Sequence, residues 1–139
     1  MREIKFRGKS LLFGKWIYGD YIDATALTSV GRKTGLSRIG YPIIGGYETI
    51  SVIAETVGQF TGIKDGNRTE IFEGDIIEVT LRHNNTIVST YNAIVDQKEG
   101  AFGFKNKQGF CPFYGQIHEN YKVIGNIHDN PELLKGGEK

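Results

Sequence analysis

The sequence predicts a mainly β protein, and three observations carry that expectation. There are 19 Gly in 139 residues, close to twice the usual share of about 7%, and Gly at that density breaks helices. Seven Tyr and eight Phe favour half-buried pleated surfaces. Apolar and polar residues alternate with period two in short runs, and turn residues separate the runs.

The elements follow in order. Residues 3–7 read as a strand. Gly8-Lys9-Ser10 and Phe13-Gly14-Lys15 flank a hairpin loop, and Trp16, Tyr18, Tyr21 and Ile22 mark the return strand, with a break at Gly19-Asp20. Trp16 reads as a core anchor, stacking on a ligand being the alternative. Residues 23–46 are rich in Gly, Ser and Thr and read as a long loop or irregular hairpin, with short strands near 36–39 and 42–44. Connections of this length tend to carry function. Another strand runs from Tyr47 toward Val57.

The central stretch is VGQFTGIKDGNRTEIFEGDIIEV, residues 57–79. Val57, Gln59 and Thr61 alternate with Gly58, Phe60 and Gly62. Lys64-Asp65-Gly66-Asn67 is a turn, because Gly takes positive φ and Asp and Asn bond their own backbone. Asp65, Asn67 and Glu70 lack the ligand order of a calcium loop. Glu73-Gly74-Asp75 is a bulge or second turn. Beyond it Ile77, Val79 and Leu81 share one strand face, and Glu78, Thr80 and Arg82 share the other.

His83-Asn84-Asn85 is a turn, and Ile87, Ser89, Tyr91, Ala93 and Val95 form a long strand. A turn over residues 96–100 and a short aromatic strand over 101–104 follow. Residues 110–114 are an edge strand or loop, interrupted by Pro112. Tyr121, Val123, Gly125 and Ile127 make the last strand. Asn130 is placed as an N-cap with Pro131 at the first helical position, so one short helical turn closes the chain. The expected core is Phe60, Ile71, Ile77, Val79, Val123 and Ile127. Strands between Val57 and Ile127 suffice for an SH3-like barrel. The expected organisation is therefore an N-terminal β subdomain over residues 1–56 and the barrel with its helical turn over 57–139, forming one compact unit.

Charge narrows the function little. The chain has 17 Lys and Arg against 16 Asp and Glu, a net charge of +1. Residues 1–48 carry eight basic and four acidic residues (8 − 4 = +4), and the remainder nine and twelve (9 − 12 = −3). Opposite-sign halves suit an anionic ligand or complementary faces of an oligomer. The single cysteine, Cys111, excludes an internal disulfide and reads as a buried, inert thiol. The N-terminus has no signal-peptide pattern, and no apolar run approaches the roughly 18 residues of a spanning helix.

No dinucleotide fingerprint, Walker motif, nucleophile elbow or zinc spacing occurs, so no catalytic residue, metal or cofactor is implied. A binding module is the leading reading. A nucleic-acid module is the alternative: Arg32, Lys33 and Arg38 offer phosphate contacts, and Phe102, Phe104, Lys105, Lys107 and Phe110 mix rings with cations. An enzyme built on His118 or His128, with Glu119 and Asp129 alongside, is the third.

Four segments carry a family resemblance: REIKFRGKS, KWIYGDYI, ETVGQFTGIKDGNRTEIFEGDII and YKVIGNIHDNPELL. In this order they resemble the YopX family of bacteriophage and prophage proteins, over about half the chain. The resemblance implies an SH3-like barrel carrying an N-terminal β subdomain, a tendency to self-associate, and a phage or prophage origin in a bacterial cytoplasm. It implies no activity and brings no catalytic residues.

Overall fold

The computed structural model describes residues 4–22, 36–107, 109–113 and 120–136. Arg32, Lys33, His118 and Glu119 lie outside these residues. The chain is mainly β, with two antiparallel sheets and a single short helix among the described residues. It divides into two compact units, Met1–Phe60 and Thr61–Lys139.

In the N-terminal unit, β1 (Phe6–Lys9), β2 (Trp16–Ile22), β3 (Leu36–Ile43) and β4 (Gly46–Ile53) precede a 3-10 turn, Ala54–Thr56, and the start of β5 (Gly58–Lys64). The strand order is β4-β3-β2-β1-β5. A bridge between Ser10 and Val52 brings the end of β1 to β4, so the sheet curls on itself. Ile39, Val52 and Phe60 are buried inside it. The Lys9 N–H donates to Thr56 Oγ1 at 2.8 Å and fixes the 3-10 turn against β1.

Two expectations change here. β2 runs unbroken through Gly19-Asp20, because Gly19 pairs with Phe6 on one flank and Asp20 with Gly40 on the other. The described end of the Gly-rich segment is a regular hairpin rather than an irregular one. β3 is one eight-residue strand, paired with β4 from Leu36↔Ile53 to Ile43↔Gly46. A partner along its whole length holds extended a sequence that reads locally as loop.

In the C-terminal unit, β6 (Glu70–Phe72) lies beside β5. The second sheet holds β7 (Asp75–His83), β8 (Thr86–Lys98), β9 (Ala101–Asn106), β10 (Gly109–Pro112) and β11 (Tyr121–Asn126), in the order β10-β9-β8-β7-β11. The hairpin between β7 and β8 turns on Asn84 and Asn85, with φ of 51° and 66°. Positive φ at both positions matches the right-handed twist of the flanking strands. Ile71, Ile77, Val79, Ala93, Val95 and Phe104 form the core. Ile77 and Val79 are buried as expected. Leu81, on the same face, is exposed, because residues 81–90 run past the core as a two-stranded ribbon. Val123 and Ile127 are only half-buried.

The closing helix, α1 (Glu132–Gly136), follows Pro131 as the sequence indicates. The Asn130 side chain does a different task from the expected cap. Its Oδ1 accepts from the Asn126 N–H at 3.2 Å, upstream of the helix. Asn92 Nδ2 donates to the Leu133 carbonyl at 2.9 Å and ties α1 to β8.

Candidate functional site

Polar side chains of the central and C-terminal motifs are committed to their own turns. Asp65 is buried. Its Oδ1 accepts from the N–H groups of Asn67 (2.8 Å) and Thr69 (2.9 Å), and its Oδ2 from that of Val123 (2.9 Å). The Gly66 N–H donates to the Tyr121 carbonyl. This turn therefore clasps β11, and the carboxylate that a cation would need is engaged by the backbone. Asp75 is also buried, and its Oδ2 accepts from the Phe72 N–H at 2.7 Å. Gly74 donates to the Val95 carbonyl and accepts from the Ile127 N–H, both at 2.9 Å.

The turn after β11 is knitted from within. Asn126 Oδ1 accepts from the His128 and Asp129 N–H groups, and its Nδ2 donates to Asp129 Oδ2. A Cβ on Gly125 would lie 2.6 Å from Asn130 Oδ1. Only Gly lets the two segments approach so closely. His128 and Asp129 thus belong to a structural turn. Among the described residues, no three His, Cys, Asp or Glu side chains gather where a metal ion could sit.

The residues expected to bind nucleic acid do not form one platform. Phe102 and Phe104 are 7% and 5% exposed, so a base cannot stack on them. They point into the protein because their strand parity puts them on the face of Val95, with Phe104 opposite Val95 and Phe102 opposite Gln97. Lys105 and Lys107 have the opposite strand parity and stand at the surface. Lys105 Nζ lies 2.9 Å from Asp96 Oδ2. Burial alone would raise the Asp96 carboxyl, but the Lys105 ammonium and the Gln97 N–H hold it below its ordinary value. Cys111 is exposed rather than buried, because β10 is the sheet edge. Phe110 is half-buried.

Arg38 remains a surface candidate, with unexpected neighbours. Its Nε donates to Thr49 Oγ1 at 2.9 Å, its Nη1 to Ser51 Oγ at 2.9 Å and its Nη2 to the Thr49 carbonyl at 3.1 Å. Residues directly opposite in an antiparallel pair share a face. Ser51 is opposite Arg38, Thr49 opposite Gly40, Gly40 opposite Asp20, and Arg7 opposite Tyr18. One face of the first sheet therefore carries Arg7, Lys9, Trp16, Tyr18, Asp20, Arg38 and Tyr47. The Arg7 guanidinium lies over the Trp16 ring at 4.5 Å. Tyr47 lies across Gly40 and donates its hydroxyl to Asp20 Oδ2 at 2.8 Å. That bond raises the Tyr47 hydroxyl above the ordinary tyrosine value. Sequence reasoning singled out Trp16 and Arg38 separately and missed the face that unites them. The alternation of Trp16, Tyr18 and Asp20 was the available signal.

The sequence model of the YopX protein family matches residues 5–135. The chain belongs to the YopX family. Among solved structures it is similar to protein EF1440 from Enterococcus faecalis, with a TM-score of 0.59 and 22% identity, covering 96% of this chain and 99% of that one. That likeness concerns the fold. No curated protein matches. The segments that carry the YopX resemblance include the EGD turn and GNIHDNP, the turns whose hydrogen bonds are set out above. No helix among the described residues of this YopX-family chain is long and apolar enough to cross a membrane.

Proposed function

We propose that this YopX-family protein is a non-catalytic, self-associating interaction module of a phage or prophage, acting in the bacterial cytoplasm. One observation carries the reading. Asp65, Asn126 and Asn130, the polar residues that a site in the motifs would use, are engaged by backbone groups of their own turns and, for Asp65, of β11, while apolar side chains stand exposed at three hairpin ends. These ends are Leu11, Leu12 and Phe13; Ile43 and Ile44; and Ile87 and Val88. Ile44 is fully exposed. Apolar residues concentrated at protruding tips mark contact surfaces, and closed symmetric assembly would cover them. The same reading gives residues 57–139 to an SH3-like barrel and makes residues 1–56 a partner-facing subdomain.

Light scattering after size exclusion tests self-association. The expected result is a species larger than the 15.5 kDa chain. Ile44→Glu or Ile87→Glu should split it. A single 15.5 kDa peak across a wide range of protein concentration overturns the reading.

A further inference from the structure

We infer that the polar face of strands β1 to β4 binds single-stranded nucleic acid. The inference builds on the binding-module reading and names a partner for it. It moves the ring-and-cation combination from β9, where the rings are buried, to the first sheet.

Two half-exposed rings stand on this face, Tyr18 at 47% and Tyr47 at 51%. Trp16 is two residues from Tyr18 and follows the same strand parity. Two of these side chains are held. The Arg7 guanidinium lies over the indole at 4.5 Å, and Tyr47 is tethered to Asp20. Rings fixed before a ligand arrives lose little freedom on binding.

Cations stand beside the rings. Lys9 is opposite Trp16. Arg7, opposite Tyr18, is 6% exposed and steadies the indole rather than meeting a phosphate. Arg38 is locked by Thr49 and Ser51 in one direction. Among the described residues of β1 to β4 on this face, Asp20 is the only carboxylate. Residues 1–60 as a whole carry eight basic and five acidic residues (8 − 5 = +3). The charge therefore complements a polyanion. The exposed rings choose among polyanions, because stacking needs bases whose faces are open. A duplex hides those faces, whereas a single strand offers them, with its phosphates free to meet the cations.

Trp16 is the only tryptophan, so its fluorescence reports on this face without a label. Full-length protein is titrated at low salt with an oligothymidine of about 15 nucleotides, near the upper size of a small β-domain site. Quenching of Trp16 should track a rise in anisotropy of the labelled strand. Tyr18→Ala and Tyr47→Ala should each weaken binding by about tenfold, as loss of one stacked base does. Tyr18→Phe keeps the ring and should keep the affinity, Tyr47→Phe keeps the ring without its tether and should lose less than Tyr47→Ala, and thermal melts verify that each variant folds. Arg38→Ala should lower the salt slope by about one phosphate contact.

Absence of quenching and anisotropy change at high micromolar protein overturns the inference. Equal affinity for a duplex of the same length, or unchanged affinity in both alanine variants, does so too. Light scattering on the same samples separates the two readings. A self-associated protein that ignores the strand removes only this inference. A monomer that binds it removes only self-association.

Discussion

In the C-terminal unit the aromatic rings pack on one another. Phe104 lies 5.7 Å from both Phe113 and Tyr121, those two are 5.1 Å apart, and Tyr91 is 6.4 Å from Phe104. In the N-terminal unit Tyr18, Tyr21 and Tyr47 stand 39–51% exposed. Phe6 and Tyr21 form a pair there, at 5.5 Å. Similar residue types, on similar antiparallel strands, serve a core in one unit and a surface in the other. What differs is what lies over the sheet. In the C-terminal unit the Asp65 turn holds β11 in place, and Tyr121 closes on Phe104 from β11. In the N-terminal unit the sheet curls around Ile39 and Val52, and Tyr18 and Tyr47 stand at the surface of its other face. Ring content therefore says little about a ring's role until the covering element is known.

The largest test of this contrast is truncation of a ring in each unit. Phe104→Ala should cost roughly 3–5 kcal/mol, as loss of a buried aromatic does. Tyr47→Ala should cost less than about 0.5 kcal/mol, as surface changes do. Urea denaturation of the two variants measures both, and equal losses would break the contrast.

Next comes the clasp. Asp65→Ala leaves three backbone N–H groups without their carboxylate. Each such group costs about 1–3 kcal/mol when buried, less where water reaches it, so a loss of roughly 2–4 kcal/mol is expected. Hydrogen exchange at the Val123 amide should accelerate. An unchanged Val123 rate would mean that β11 is held by something else.

Two glycines sharpen the comparison further. A Cβ at Gly125 would meet Asn130 at 2.6 Å, and one at Gly40 would meet Tyr47 at 2.5 Å. Asn130 is bonded to Asn126 within a tight turn, so Gly125→Ala should cost about 1–3 kcal/mol through overpacking. The Tyr47 ring end is exposed and can swing away. Gly40→Ala should cost about 0.5 kcal/mol or less while breaking the bond to Asp20. Thermal melts give the stabilities. The Tyr47 titration, raised by that bond, should move back toward the ordinary value of about 10.

The smallest effect is at the surface pair of Asp96 and Lys105. The folded carboxyl is depressed, so its contribution is present above the unfolded value of about 3.9 and is lost as pH falls through the folded value. Both side chains are more than a third exposed, which limits the pair to about 0.5 kcal/mol. Lys105→Ala should therefore lower stability slightly at neutral pH and converge with the unaltered protein in strong acid. A difference that persists in acid would show that Lys105 acts by packing.

Much of the fold was legible in the sequence because its signals are local. Period-two runs gave β7, β8 and β11, and Gly, Asn and Asp gave the turns at 65–67, 73–75 and 84–85. The candidate face was not legible. Trp16, Tyr18, Arg38 and Tyr47 lie on three strands, and only the pairing of Asp20 with Gly40 and of Gly40 with Thr49 puts them on one side. The β9 expectation failed for a reason the sequence did contain. Phe102 and Phe104 have one parity and Lys105 and Lys107 the other, so a regular strand cannot present all four together.

Alternation and turn chemistry by themselves determined a mainly β chain, the positions of several tight turns and part of the core, including Ile71 and Ile77. Those properties depend on neighbours a few residues away, which the sequence states directly. Tertiary structure alone decided that β3 is a continuous strand and that Cys111 is exposed. It also decided which aromatic rings are enclosed. The physical reason is that burial belongs to the pairing of distant segments. A side chain's parity names its face, but only the strand or turn laid over that face decides whether it meets protein or solvent.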